Sequence, residues 1–184
     1  MDISKQLGLR YKTDNIFIIY LGIIFYSLTV INLSFDYLKD NIKILFFNSN
    51  IITLLEGTVL TAIINSSSTL IISSGILYAN ATISLEQGIS LMLGANIGTT
   101  ITTYFYTLNQ NIKVKKIIVY NILFNLFGAL LFLCFIDYFI ILLKLLNILQ
   151  YKKQTIAIAH LIFNILTTLL TYILLIPFKF KEQN

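Results

Sequence analysis

The chain has 184 residues, of which 57% are hydrophobic and 11% are charged, and its mean hydropathy is +0.84. This composition excludes a soluble globular domain, because too few charged side chains are present to cover the surface of a folded chain of this length. We therefore predict an integral membrane protein, and the net charge of +5 fits lysines that flank membrane spans, with no need for a nucleic-acid partner.

The first predicted membrane element is a spanning helix over residues 15–35. About 20 apolar residues rising 1.5 Å each cross the roughly 30 Å hydrocarbon layer of a bilayer. Residues 1–14 before it are polar and are expected on the cytoplasmic side. Residues 36–50 after it combine charged and apolar side chains at helical spacing, which predicts an amphipathic helix in the membrane interface.

Residues 51–80 are apolar on both sides of a polar centre, Asn65–Ser68. Each apolar arm has about 12 to 14 residues and reaches on the order of 20 Å as a helix, which is less than the bilayer thickness. This length predicts a re-entrant helical hairpin whose tip lies near the middle of the membrane. One straight helix of about 30 residues is the alternative.

Another crossing is predicted over residues 88–108, and it contains Gly94 and Gly98. Each glycine destabilises a helix by about 1 kcal/mol relative to alanine, so we expect a broken transmembrane helix that unwinds between them. The further predicted segments are crossings over 117–135 and 155–177 and a polar tail over 179–184. Residues 137–150 are apolar but contain charged side chains, so this segment could span or lie flat.

The positions of lysine and arginine give an orientation if the hairpin re-enters and residues 137–150 span. One side then holds eight of these residues and the other side four, so the amino terminus is expected in the cytoplasm. The eight are Lys5, Arg10, Lys12, Lys113, Lys115, Lys116, Lys152 and Lys153, and the four are Lys39, Lys43, Lys179 and Lys181.

The two polar breaks predict neighbouring sites for an anion and a cation. A helix that begins inside the membrane exposes backbone N–H groups and the positive end of its dipole, which bind anions. Such helix starts are expected just after Ser66–Ser68 and at Thr99–Thr100, where hydroxyls can cap a helix and bond an anion. Helix ends at Asn65 and near Asn96 would offer carbonyl oxygens to a hard cation such as Na⁺.

Basic side chains are absent from this central part of the chain: residues 44–112 contain no lysine or arginine. An anion bound here would need helix dipoles and co-bound cations to offset its charge, so cation-coupled anion uptake is the hypothesis. The alternative is structural. Hydroxyls in membrane helices often bond a carbonyl one turn back, and Gly57, Thr61 and Asn65 at four-residue spacing fit a close helix contact.

His160 is the one histidine of the chain, and it shares a helix face with Asn164, four residues later. In lipid such polar faces turn toward other helices, so we expect an interhelical hydrogen bond rather than a proton relay. An intramembrane serine protease using Ser66–Ser68 is not expected, because the neighbouring segments contain no histidine to act as a base.

Several motifs together closely resemble the type II Na⁺/phosphate cotransporter family. In chain order they are Thr61-Ala62-x-x-Asn65-Ser66-Ser67-Ser68, Gly75, Leu85-x-Gln87, Gly94-Ala95-Asn96-Ile97-Gly98-Thr99-Thr100 and Ala159-His160-Leu161-Ile162-Phe163-Asn164. The similarity runs over residues 15–178, and the two central motifs are specific. The resemblance implies a multi-pass, all-α integral membrane protein of the cell membrane that moves inorganic phosphate with Na⁺ as coupling ion, and that has no catalytic residues and no cofactor.

In that family the serine-rich signature occurs in each of two inverted repeats, which together form the phosphate and Na⁺ sites. Carried over by resemblance, the phosphate-binding residues are Ser66, Ser67, Ser68, Thr99 and Thr100, and the Na⁺-binding residues are Asn65, Ser66, Asn96 and Thr99. The family's signature begins with glutamine where this chain has Asn65, whose side chain is one methylene shorter. This difference bears on affinity and on ion stoichiometry.

The chain carries one serine-rich signature, so it resembles a single inverted-repeat unit, more the second than the first. A site formed between repeats then needs a second half, either a separate chain or an inverted copy of this one, and the unequal lysine count favours a separate chain. The expected function is Na⁺-dependent phosphate transport in a lipid bilayer, as a symporter or half of one. The alternative is a membrane subunit or remnant half-repeat that packs with a partner protein and transports nothing.

Overall fold

The computed structural model describes residues 16–27, 29–30, 33–34 and 49–181, and every regular element in these ranges is helical. The helices are α1 (Ile16–Ser27), α2 (Asn50–Ile64), α3 (Ser67–Ala79), α4 (Leu85–Tyr106), α5 (Ile112–Cys134), α6 (Ile136–Leu145) and α7 (Thr155–Lys181), with a 3-10 turn at Ile148–Gln150. The predicted all-α class is confirmed. The predicted cytoplasmic segment 1–14, and all of the predicted interfacial helix 36–50 except its last two residues, lie outside the described residues.

The chain divides into two compact units, Met1–Leu38 and Lys39–Asn184. In the first unit α1 lies within the span predicted over residues 15–35, and its side chains are exposed. The Ser27 hydroxyl donates to the carbonyl oxygen of Ile23, one turn back, at 2.7 Å. An apolar helix that satisfies its own polar groups in this way is suited to contact with lipid.

α4 is the central helix of the second unit, because α2, α3, α5 and α7 all pack against it. Its side chains Ile89, Leu91, Met92 and Leu93 are each 0% exposed. A helix with apolar side chains buried on every side lies inside a bundle rather than at its surface. The surrounding helices complete the apolar core with residues that include Leu54, Leu70, Ala129, Leu143, Ile156 and Phe163.

Residues 51–80 form two helices, because Asn65 and Ser66 separate α2 from α3. The alternative of one straight helix is therefore wrong. The two helices have 15 and 13 residues, about 22 and 20 Å at 1.5 Å per residue, so each is shorter than the bilayer is thick. Both pack against α4.

The backbones of α2 and α4 are in contact at glycines, which have no side chain to keep the two helices apart. A Cβ atom built at Gly57 would lie 2.5 Å from the carbonyl oxygen of Leu91, and one built at Gly98 would lie 2.6 Å from that of Thr58. Because the later part of α2 meets the later part of α4, the two helices run parallel. The close helix contact considered as an alternative is confirmed for Gly57 and Thr61, which are buried in it.

The predicted broken helix is wrong, because α4 is a continuous α-helix from Leu85 to Tyr106. Packing explains the two glycines of the expected break. A Cβ atom at Gly94 would collide with the carbonyl oxygen of Leu54 in α2. The contact with α2 offsets the cost of about 1 kcal/mol per glycine, so the glycines let two backbones touch and the helix does not unwind.

α6 has 10 residues, about 15 Å at 1.5 Å per residue, so the segment 137–150 does not span a bilayer. The chain turns after it at Asn147, which has a positive φ of 55° and precedes the 3-10 turn. The buried side chains of α6 are Ile136, Phe139, Ile140 and Leu143. With this face in the core and Lys144 exposed, α6 lies along the bundle.

The short α6 determines which loops lie at each end of α4. Ser84 caps the start of α4 and lines a cleft together with Lys152, so the loop before α7 lies at that end. Residues 113–116 follow the other end of α4. The predicted placement of the lysines of 113–116 and 152–153 on one side is therefore wrong, because it required residues 137–150 to span.

Within the described residues, two helical stretches are long and apolar enough, by length and composition, to cross a membrane: Ile112–Cys134 and Thr155–Ile173. Both overlap predicted crossings, and most of their side chains are exposed or half-buried rather than buried. α7 continues through Pro177 to Lys181, beyond the predicted helix end.

Candidate functional site

The turn between α2 and α3 is built by Asn65 and Ser66. Asn65 has φ 56° and ψ 32°, a left-handed conformation that asparagine adopts more readily than most residues, and its N–H donates to the carbonyl oxygen of Thr61 at 2.7 Å. Ser66 is extended and caps α3, because its Oγ accepts from the N–H of Thr69 at 3.3 Å. The pair Asn65-Ser66 therefore ends one helix and begins the next.

The start of α3 offers hydrogen-bond donors with no acidic residue in the same turn. Ser67 is half-buried and Ser68 is exposed, and neither hydroxyl has a hydrogen-bond partner among the described residues. The first N–H groups of a helix lack partners within it and carry the positive end of its dipole. Hydroxyls and N–H groups at this turn can therefore bind an anion.

The tip of the turn is tied to the carboxyl-terminal end of α4. Asn65 Nδ2 donates to the Tyr106 hydroxyl at 3.1 Å. One turn earlier in α2, Thr61 contacts Gly98. Tyr106 has no signal in the sequence that would have marked it, because it is one of 11 tyrosines and lies outside every motif.

Thr99 and Thr100 lie inside α4, so the predicted helix start at these residues is wrong. The Thr99 hydroxyl donates to the carbonyl oxygen of Ala95 at 2.9 Å, and the Thr100 hydroxyl donates to that of Ile97 at 2.8 Å. Because these hydrogens are used within the helix, the two hydroxyls offer only lone pairs to a ligand. Lone pairs suit a cation better than an anion.

Asn96 belongs to a polar cluster between α4 and α7. His160 Nε2 lies 3.0 Å from Asn96 Oδ1 and 3.0 Å from Asn164 Nδ2. The interhelical hydrogen bond expected for His160 is confirmed, and Asn96 is the partner that the sequence pattern did not identify. Asn96 Nδ2 is buried and has no partner among the described residues.

The predicted site residues lie in two clusters. Within the described residues, no hydrogen bond joins the serine-rich turn Asn65–Ser68 to Asn96, Thr99 or Thr100. The contact between α2 and α4 links the clusters, since Thr61 precedes the turn by one helical turn and meets α4 just after Asn96. Both clusters are thus held by α4.

The site region offers oxygen ligands but no basic side chain, since residues 44–112 contain neither lysine nor arginine. In the part of the chain that the structure describes, no group of three or more His, Cys, Asp or Glu side chains could hold a metal ion. The hydroxyls of Thr61 and Ser90 are fully buried, and no described residue forms a hydrogen bond with either of them. Apart from the carboxylates of Glu56 and Glu86, the oxygens that residues 44–112 present to a hard cation are neutral hydroxyl, amide and carbonyl oxygens.

Comparison with known proteins bears on this arrangement. The chain is similar to the "Uncharacterized protein YqeW" of Bacillus subtilis (strain 168), with 34% identity over 178 residues that cover 90% of this chain and 53% of YqeW. The chain thus spans about half the length of this curated relative. No solved structure was found to match. The sequence profile of Na⁺/Pi-cotransporters matches residues 18–173, which include the serine-rich turn, α4 and the polar cluster, so the chain belongs to the Na⁺/Pi-cotransporter family.

Proposed function

We propose that this chain acts in Na⁺-dependent transport of inorganic phosphate across a cell membrane, as a symporter or as one half of a symporter. The observation that carries the proposal is the start of α3, where helix N–H groups and hydroxyls that no described residue bonds lie within a stretch, residues 44–112, without lysine or arginine. An oxyanion bound there needs positive charge from elsewhere, which a co-transported cation supplies. Family membership supports Na⁺ and phosphate as the two ions.

We assign phosphate binding to the first turn of α3. Ser67 and Ser68 have hydroxyl hydrogens that no described residue uses, and the adjacent N–H groups point out of the helix start. Ser66 shapes the turn, because its oxygen caps α3. Hydrogen bonds to an ionised oxyanion are about twice as strong as neutral ones, so a few such donors hold phosphate.

We assign Na⁺ binding to oxygen atoms of the turn and of α4. Asn65 uses Nδ2 on the Tyr106 hydroxyl, which leaves its Oδ1 for a cation. Thr99 is exposed, and its hydroxyl hydrogen is used inside the helix, which leaves its lone pairs. Ser66 Oγ is the third oxygen of this proposed set, and neutral oxygens of this kind are the ligands that hard cations take.

The helix lengths support a re-entrant arrangement for α2 and α3. α4 has 22 residues, about 33 Å at 1.5 Å per residue, which is close to the hydrocarbon thickness. α2 and α3 meet at a turn beside the later half of α4, and α3 then returns to Ser84 at the start of α4. In this arrangement the turn lies toward the end of α4 that carries Tyr106, and transporters bind ions at helix ends that lie within the membrane.

A second half is part of the proposal. The chain spans about half of YqeW, and the serine-rich turn and Asn96 do not share a hydrogen bond within the described residues. We propose that a second repeat, either a separate chain or an inverted copy of this one, closes the site. A subunit that transports nothing is the competing possibility, and the following experiment separates the two.

The test is uptake of labelled phosphate into proteoliposomes that contain this chain, with a Na⁺ gradient and with K⁺ in its place. If an inverted copy of the chain completes the site, uptake is expected with the Na⁺ gradient and not with K⁺, whereas a chain that needs a separate second half takes up no phosphate by itself. Replacing both Ser67 and Ser68 by alanine should raise the KM for phosphate about tenfold or more, because each hydrogen bond to a charged group contributes about 1.5–3 kcal/mol. Ser73→Ala, deeper in α3, is the matched control and should leave the KM unchanged.

Other outcomes are decisive as well. Unchanged uptake in the double serine variant would contradict the assignment of the phosphate site. If the inserted chain takes up no phosphate but Na⁺ and phosphate together still raise its melting temperature, the chain is half of a transporter. If neither uptake nor stabilisation is found, the chain is a subunit that transports nothing.

A further inference from the structure

The side-chain amide of Asn96 is paired at one end only. Its Oδ1 lies 3.0 Å from His160 Nε2, whereas its Nδ2 is buried and has no partner among the described residues. Buried N–H groups in native proteins nearly always have an acceptor, from the protein, from water or from a ligand. Asn96 Nδ2 therefore requires an acceptor that the described residues do not supply.

His160 determines which end of this amide is occupied. In a neutral imidazole, Nε2 has one role at a time: as a donor it serves Asn96 Oδ1, and as an acceptor it serves Asn164 Nδ2. The acceptor role would leave both ends of the Asn96 amide unpaired between α4 and α7. The donor role pairs one end and joins the two helices, so it is the favoured state.

The neighbouring hydroxyls of α4 do not supply an anion with donors. Thr99 donates to the carbonyl oxygen of Ala95, and Thr100 donates to that of Ile97. Asn96 is therefore the residue of the Asn96–Thr100 stretch whose side chain keeps an unused N–H group. An N–H group binds an oxygen of an oxyanion, but it cannot coordinate a cation.

We propose that Asn96 is a phosphate-binding residue of the transport site, which donates through Nδ2, and that His160 is the positioning residue that keeps Oδ1 turned away from the substrate. This inference rests on the proposed function and names a ligand within the same site. It assigns Asn96 to phosphate in place of the Na⁺ role that the sequence motif suggested, because His160 engages one lone pair of Oδ1 and the group left unused is the Nδ2 N–H.

The test measures the melting temperature of the purified full chain in detergent during two titrations. Phosphate is titrated at constant NaCl, and NaCl is titrated without phosphate. Asn96→Asp keeps the oxygen that His160 contacts and replaces the N–H group by an acceptor. The midpoint of each titration is the ligand concentration that gives half of the largest rise in melting temperature. We expect the phosphate midpoint to rise about tenfold or more and the Na⁺ midpoint to stay within about twofold of the wild-type value. Asn96→Ala, which removes the donor without adding charge, is a second variant if the aspartate variant fails to fold.

The positioning role of His160 is tested by two replacements and a control. His160→Gln retains an N–H group that can donate to Asn96, so the phosphate midpoint should stay within about threefold of the wild type. His160→Leu removes the donor and should raise the phosphate midpoint about tenfold. Asn164→Leu is the matched control on the same face of α7, and it should have little effect, because the favoured state does not use this bond.

Two results would overturn the inference. If Asn96→Asp leaves the phosphate midpoint unchanged, a buried water satisfies Nδ2. If it changes the Na⁺ midpoint alone, Asn96 is a Na⁺ ligand. Failure of the proposed function looks different: wild-type chain that phosphate does not stabilise at any Na⁺ concentration would remove both proposals. Stabilisation that is lost in the double serine variant and kept in Asn96→Asp would remove this inference alone.

Discussion

The hydroxyl hydrogens decide which of the candidate side chains can bind an oxyanion. Thr100 is 5% exposed, and its hydrogen is already donated to the carbonyl oxygen of Ile97. We expect Thr100→Val, which keeps the shape of the side chain, to change the KM for phosphate by less than about twofold. Uptake kinetics in proteoliposomes provide the measurement, with the double alanine variant of Ser67 and Ser68 as the positive comparison.

A large effect of Thr100→Val would show that its hydroxyl leaves Ile97 and turns to the substrate when phosphate binds. The same measurement on Thr99→Val separates the two ions. Thr99 keeps its lone pairs for a cation, so its loss should raise the Na⁺ concentration for half-maximal uptake more than it raises the KM for phosphate.

The left-handed conformation of Asn65 shapes the turn, and this makes a second prediction. With φ at 56°, glycine fits this position, whereas a β-branched side chain is strained there by about 1–2 kcal/mol. We expect Asn65→Val to lower the free energy of unfolding by about that amount relative to Asn65→Gly, as measured by thermal unfolding in detergent.

Tyr106→Phe is the control for the Asn65 variants, because it removes the hydrogen bond from Asn65 Nδ2 and leaves the backbone of the turn unchanged. Equal losses in Asn65→Gly, Asn65→Val and Tyr106→Phe would mean that this hydrogen bond, rather than the backbone conformation, holds the turn.

The polar turn could be predicted from sequence, and the roles of the threonines could not. Asparagine followed by serines inside an apolar run favours the end of one helix and the start of another. The break at Asn65 could therefore be predicted from the local sequence. Thr99 and Thr100 follow Gly98, and the same reasoning predicts a helix start there. A threonine that caps a helix and one that bonds the preceding turn look alike in sequence, and only the continuity of α4 distinguishes them.

The same difficulty applies to the glycines of α4. Gly94 and Gly98 were expected to unwind the helix, because a glycine costs about 1 kcal/mol in isolation. In the structure this local cost is outweighed by backbone contact with α2, whose residues are more than 30 positions away in the sequence. A local sequence pattern does not contain the energy of contact with a distant helix. The positions of the glycines therefore indicated a special feature of α4, but not that the feature is close packing against α2.

The contact between α2 and α4 supplies the third prediction. We expect Gly98→Ala to lower the free energy of unfolding by about 1–3 kcal/mol, because the added methyl group would lie 2.6 Å from the carbonyl oxygen of Thr58 and force the helices apart. Thermal unfolding in detergent is the measurement. Gly22→Ala in α1 is the matched control, since nothing described lies within 4 Å of its added Cβ atom. Stability retained in Gly98→Ala would contradict the close packing of these helices.

Long-range arrangement was the least accessible feature from sequence. The all-α class could be predicted from the long apolar runs, and the candidate crossings at α5 and α7 could be predicted from the lengths of their runs. The path of the chain between α5 and α7 could not be predicted, because residues 137–150 are apolar enough to span the membrane and short enough to lie flat on it. The structure resolves this through the buried face of α6, which packs on the bundle core and leaves 10 helical residues where a span needs about 20.

The short α6 also changes the distribution of charge between the two ends of the bundle. α7 runs in the same direction as α4, because His160 meets Asn96 and Ile156 meets Gly88. One end of the bundle then carries Lys113, Lys115, Lys116, Lys179 and Lys181, and the other carries Lys144, Lys152 and Lys153. The excess of lysine at the end that holds Lys113 favours a cytoplasmic location for that end.

This arrangement gives the fourth prediction, which concerns the orientation of the chain in the membrane. In a Cys134→Ser background, single cysteines at Ala81, Asn109 and Gln154 should react with a membrane-impermeant thiol reagent from different sides. Ala81→Cys and Gln154→Cys should react from outside intact cells, and Asn109→Cys should react only after the membrane is opened, since α4 separates it from the other two. A spanning α6 would instead place Gln154 and Asn109 on the same side.

The fraction of Asn109→Cys that reacts from outside separates the two ways of completing the site. A chain that pairs with an inverted copy of itself inserts in both orientations, so about half of the molecules would react, because neither orientation is favoured. A chain that pairs with a separate second half inserts one way, so the fraction reacting from outside should be close to zero. The unequal lysines lead us to expect the second result. Half-labelling of all three positions would contradict it and would make the chain, as an inverted pair, sufficient for its own transport site.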